Sequence, residues 1–199
     1  MRYIAIAILI VTPLLGACTN GQNDMQRAID KVDTAWGSAN TKLKKTLGVR
    51  NYQLEKKAAF QAMLISLNEL GFVVQNLSYI SGFIVAKAPI PIPLSKAEWA
   101  AIKKVEEPQM QSIAASVVGN WQSQYFQLHD SNFETIINVV MLERAKDLRI
   151  SFGFQMVYTG PPRRVSYRQQ PPPEAVKYAM KKTWDYFDRV TLVQGKTFQ

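Results

Sequence analysis

The chain has 199 residues, 47% of them hydrophobic, and a formal charge of +9. That length and apolar content suffice for one compact domain or two small ones and argue against general disorder. A single cysteine excludes an intramolecular disulfide. The basic surface would suit nucleic acid, but the chain opens on what reads as an export signal, which points instead to anionic envelope components or an acidic protein.

Met1 and Arg2 form a small positive head, Tyr3 to Leu15 an apolar run, and small residues lead into Cys18. This is the anatomy of a secretory signal. The run of 13 residues is short of the roughly 20 that span a bilayer. Leu15, Gly16, Ala17 and Cys18 resemble the lipobox of bacterial lipoproteins, which implies cleavage before Cys18 and acylation of its thiol. Thr19, where aspartate would favour inner-membrane retention, implies the periplasmic face of the outer membrane. Residues 1–17 are then the signal peptide, 18–47 a lipidated tether with a helical segment, and 48–199 a single α+β domain.

Thr19 to Asp24 are small and polar, as in a flexible tether. Met25, Ile29, Val32 and Trp36 follow at helical spacing; Gly37-Ser38 is expected to interrupt that helix, and Lys42, Lys44 and Lys45 come next. Such a helix packs on its own domain or lies on an anionic membrane. Val49 to Gln53 fits a short strand. Phe60, Met63, Leu64 and Leu67 predict a helix over 54–70, closed by Gly71. Phe72 to Val74 and Phe83 to Lys87 read as strands around a turn through Asn76, Ser78, Ser81 and Gly82.

Pro89, Pro91 and Pro93 hold an extended connection. Ser95 and Glu98 form a capping-box pattern, with Leu94 and Trp99 placed as a hydrophobic staple. They predict a helix over 96–107, ended by Pro108. Three long strands are expected next. Ile113, Ala115, Val117, Trp121 and Tyr125 share one face of the first; residues 133–143 are apolar throughout; and Leu148 to Tyr158 alternate with the period of two of a half-buried strand. Gly160-Pro161-Pro162 turns the chain, and Arg164 to Arg168 read as a return strand. Pro171 to Pro173 open a last helix over 173–189, on which Val176, Met180, Trp184 and Phe187 share a side, and Leu192-Val193 would add a terminal strand. The fold class is α+β, an antiparallel sheet packed against helices.

One stretch carries a further resemblance. Arg50, Tyr52, Ala59-Phe60, Ala62-Met63, Leu67, Leu70-Gly71-Phe72, Val74, Ser81-Gly82, Ile84 and Ala86 are similar in layout to bacterial lipoprotein domains such as those of BamC, an accessory of the outer-membrane assembly machine. The resemblance implies a helix-grip architecture and carries over no binding residue.

Chemistry is sparse. The only histidine, His129, stands beside Asp130 between two expected strands, with no spaced ligand cluster for a metal and no nucleophile elbow; it reads as exposed. Glu106-Glu107 read as a solvated helix end, since neighbouring helical residues point about 100° apart. The aromatic residues Trp121, Tyr125, Phe152, Phe154, Tyr158, Trp184 and Phe187 either fill the core or line an apolar pocket. Residues 160–199 hold eight basic and three acidic residues. Within them Arg163, Arg164 and Arg168, with Tyr167 beside them, form a patch suited to carboxylate or phosphate, or a charged edge that blocks strand aggregation. The expectation is a non-enzymatic, lipid-anchored binding or assembly-accessory module of the cell envelope, with no cofactor, metal or nucleic-acid partner. The alternative is a carrier or sensor of a hydrophobic ligand held between sheet and helix.

Overall fold

A computed structural model describes residues 16–129, 131–161 and 170–197, with side chains described over 23–193 of that span. Among the described residues the order is α1 (Gly16–Thr46), β1 (Val49–Tyr52), α2 (Lys56–Glu69), β2 (Val73–Ser78), β3 (Phe83–Pro89), α3 (Lys96–Ser123), β4 (Phe133–Glu143), β5 (Leu148–Tyr158) and α4 (Pro173–Thr197). The strands form one antiparallel sheet in the order β1-β5-β4-β3-β2. The expected α+β architecture, antiparallel sheet against helices, is therefore present.

Alternation along the strands decides which face is covered. Ile84, Ala86, Ile137, Val139, Met141, Leu148, Ile150, Phe152 and Phe154 are all buried, and the register puts Ile84, Val139 and Phe152 in one row. They meet Phe60, Met63 and Leu67 of α2 and Val176, Met180, Trp184 and Phe187 of α4 in the main core. A second cluster joins Ala28, Val32 and Trp36 of α1 to Trp99, Ile102, Met110 and Ala114 of α3, with Phe126 and Leu128. The segment before residue 48 is therefore packed into the fold. Its helix takes the own-domain option.

Several elements depart from the sequence pattern. α1 begins at Gly16 and runs through both the expected tether and Gly37-Ser38. Its buried stripe holds the helix across Gly37, which also admits the Gln170 side chain closely, about 3.5 Å from where a Cβ would stand. α3 does not end at Pro108 but continues to Ser123. Pro108 is exposed, so the carbonyl its missing N–H leaves free is on the water side. The strand expected over 113–125 is thus helix as far as Ser123, broken at Gly119, and the chain runs through the helix end expected before it. Ile113, Val117, Trp121 and Tyr125 are spaced by four, which suits either period, and the buried Met110 and Ala114 settle it. Leu192 and Val193 are exposed residues of α4, not a strand. The β2–β3 turn falls at Tyr79–Gly82, later than expected, because β2 runs on to Ser78 across a bulge between Val74 and Asn76.

The capping box of α3 is formed as the sequence indicates. Ser95 Oγ accepts from the Glu98 N–H at 3.2 Å, and Glu98 Oε2 accepts from the Ser95 N–H at 2.6 Å. Leu94 and Trp99 are both buried. Lys182 of α4 adds an ion pair to Glu98 at 2.6 Å, and that pair, with the Ser95 N–H, holds the Glu98 carboxyl below its ordinary range.

Candidate functional site

Several residues with catalytic side chains hold structural contacts among the described residues. His129 is exposed, and its neighbour Asp130 lies outside the described residues. No group of three metal-ligating side chains occurs among the described residues. Tyr52 donates to Asp188 Oδ1 at 2.7 Å, and Arg50 Nη1 donates to Asp188 Oδ2 at 2.8 Å. Burial and the Asp188 carboxylate push the Tyr52 hydroxyl far above its ordinary value, which keeps it protonated as the donor to Asp188. The trio latches edge strand β1 to α4, with the Arg50 guanidinium 4.8 Å above the Trp184 ring.

Glu106 and Glu107 are not a solvated helix end. Glu106 is 2% exposed, and its Oε1 accepts from the Glu174 N–H at 2.6 Å, capping the first turn of α4 from outside. Glu107 Oε1 accepts from the Leu128 N–H at 2.9 Å. Burial raises the Glu106 pKa, against the lowering by that N–H. A raised folded-state pKa means the stabilising contribution is complete below the unfolded value of about 4.3 and is lost as pH rises through the folded value. Glu106→Gln keeps the acceptor and removes the buried charge. The variant is expected to match or exceed the parent in stability at pH 7, and to show less decline from pH 4.5 to pH 8. Urea midpoints across that range check it. A large loss at pH 7 would show that the charge itself is needed.

The centre of the sheet–helix interface is packed with aromatic rings. Phe152, Phe154, Trp184 and Phe187 are core residues in ring contact. An apolar space bounded by Ile90–Leu94, Trp99, Met156 and Val176 has a volume of ≈ 30 Å³, about that of one water. A polar cleft of ≈ 530 Å³ lies between α1 and β5, with Asn40, Lys44, Asn138, Gln155 and Gln170 on its walls. Gln170 is where the described chain resumes. Arg163, Arg164, Tyr167 and Arg168 precede it and lie outside the described residues, as does Leu15 of the lipobox-like stretch. Gly16, Ala17 and Cys18 lie in the first turn of α1, outside the described side chains.

What the topology exposes is the sheet's other face. α2 and α4 cover one side, and the register brings Phe83 opposite Val140, Val85 opposite Asn138, and Leu142 opposite Arg149 on the other. Phe83, Val85 and Ile136 are half-buried, while Val140 and Leu142 are exposed, Leu142 by 51%. Among the described residues α1 flanks one side of this face, where Asn40, Lys44 and Gln170 stand across the polar cleft from Asn138 and Gln155 and the Lys44 side chain approaches Gly153. The apolar stripe is flanked by the Lys87–Glu134 ion pair at 3.2 Å. A solvated antiparallel face ordinarily alternates to polar residues, and a continuous apolar stripe rimmed by charge is the composition of a contact surface. Sequence reading missed it because the stripe exists only once β3 and β4 are paired.

No family model, no curated protein and no solved structure matches this chain.

Proposed function

We propose that this chain is a non-enzymatic lipoprotein of the bacterial cell envelope. It is lipidated at Cys18, held at the periplasmic face of the outer membrane, and binds an envelope protein through the open face of its sheet. The observation that carries the binding reading is the apolar stripe Phe83, Val85, Ile136, Val140 and Leu142 on that face. The packed aromatic core favours a binding surface over an apolar carrier cavity. The apolar space beside Trp99 and Val176 holds only ≈ 30 Å³, a small fraction of the roughly 300 Å³ that the smallest ligand pockets offer, and the larger ≈ 530 Å³ cleft is lined mainly by polar side chains. The lipobox supports the location, and the helix from Gly16 leads directly from Cys18 into the folded body.

Site-specific photo-crosslinking in living cells tests the binding reading. A crosslinker at Val140 or Leu142 is expected to give one discrete heavier species. A crosslinker at Lys181, exposed on α4, should not give it. The same pattern from all positions, or no adduct from the sheet, would contradict the assignment.

A further inference from the structure

The end of α3 and the turn that follows it hold two large aromatic side chains in water. Trp121 is 70% exposed and Tyr125 64%; their rings meet edge to face with centroids 5.5 Å apart. The chain reverses here. Gly119 adopts φ 79° and ψ 166° inside the helix. A Cβ there would meet nothing within 4 Å, so the backbone conformation, not crowding, calls for glycine. Beyond the break, the Tyr125 N–H bonds to Gln122 O and the Phe126 N–H to Ser123 O. The strand of chain that returns is held alongside α3: Gln111 Nε2 donates to Phe126 O, and the Leu128 N–H to Glu107 Oε1. Trp121 and Tyr125 thus flank the reversal.

Where that tip points follows from α1. Lys31 Nζ donates to Ser116 Oγ at 2.8 Å. Farther along α1, Asn40 Nδ2 donates to Pro171 O, at the foot of α4, where Glu106 of α3 also bonds. The two helices are therefore antiparallel, and the end of α1 that leads to Cys18 lies at the same end of the molecule as the α3 tip. Cys18 stands 13 residues before Lys31, about 20 Å of helix. Gly119 is three residues past Ser116, about 5 Å on the same scale. An α1 inclined to a membrane surface brings both into the headgroup layer. The tip also lacks charge: residues 108–128 contain no Asp, Glu, Lys or Arg, in a chain that is 20% charged. Approach to lipid there desolvates no ion of that segment; the ammonium beside it, Lys31 on Ser116, suits an anionic headgroup layer.

We propose that Trp121 and Tyr125 are a second membrane contact, seated in the headgroup layer of the phospholipid bilayer to which Cys18 ties the chain. Tryptophan and tyrosine suit that layer because each joins an apolar ring to a polar edge. The contact rests on the anchoring reading above. It fixes the tilt of the domain on the membrane, which an acyl anchor on its own would leave free.

The chain's own tryptophans supply the test. It has four; Trp36, Trp99 and Trp184 are buried, and Trp121 is exposed. The full-length protein extracted from membranes is reconstituted into phosphatidylethanolamine–phosphatidylglycerol vesicles, with and without lipids brominated high on the acyl chain. The difference between wild type and Trp121→Phe isolates the emission of Trp121. That emission is expected to shift to shorter wavelength, to be quenched by the brominated lipid, and to lose most of its acrylamide quenching. Trp121 that stays open to acrylamide and unquenched by bromine, in protein that floats with the vesicles, overturns the proposal and leaves anchoring intact. Protein that does not float overturns the anchoring reading and this proposal with it.

Discussion

Trp184→Ala is expected to lower stability by about 3–5 kcal/mol, the range for truncating a fully buried large aromatic side chain. Trp184 is 1% exposed, and its ring lies 4.5 Å from Phe152, 5.8 Å from Tyr52 and 6.0 Å from Phe187, centroid to centroid. Alanine removes all three contacts and leaves a cavity that sheet and helix cannot both close. It also orphans the Leu47 carbonyl, which accepts from Trp184 Nε1 at 2.6 Å where α1 ends and β1 begins. An unpartnered buried acceptor adds to the cost. Trp121→Ala, by contrast, should change stability by no more than about 0.5 kcal/mol, as at exposed sites generally. Urea denaturation of the two variants side by side makes the comparison. Equal effects would contradict the division of the tryptophans into core and surface.

The effect on location should be larger still, and close to all-or-none. In Cys18→Ser, the hydroxyl cannot form the thioether that the proposed lipidation requires. Among the described residues no helix is long and apolar enough to cross a membrane. The proposed Trp121–Tyr125 contact is too small to hold the protein alone, since even one myristoyl chain gives only marginal, reversible binding. The variant is expected to leave the membrane fraction or to accumulate as an uncleaved precursor with its signal attached. Fractionation and immunoblotting of the same cells distinguish these from normal retention.

What was legible in the sequence was local and redundant. Ser95 and Glu98 announce α3 because a capping box needs only four residues, and the staple of Leu94 and Trp99 repeats the message. β5 is legible because Leu148 to Tyr158 keep one period over 11 residues. Residues 113–125 misled because Ile113, Val117, Trp121 and Tyr125 fit a spacing of four, which a strand and a helix share; only the partner α1, burying Ala114, decides. Glu106 misled for a related reason. Its partner is a backbone N–H 68 positions away, and no pattern within a helix records that. The open stripe on the sheet was illegible on the same grounds, since Val140 and Phe83 are neighbours only across β3 and β4. The tip of α3 did leave a signal that reading for periodicity passes over: an uncharged stretch of 21 residues, 108–128, centred near Gly119.

Location, partner class and the aromatic membrane contact all depend on the fate of Cys18. The intact mass of the chain extracted from cell membranes tests it directly. The expected species begins at Cys18, lacks residues 1–17, and carries a diacylglyceryl group on the thiol, with or without a further acyl chain on the new amino terminus. A chain that retains Met1, or an unmodified chain that begins at any other residue, would contradict it.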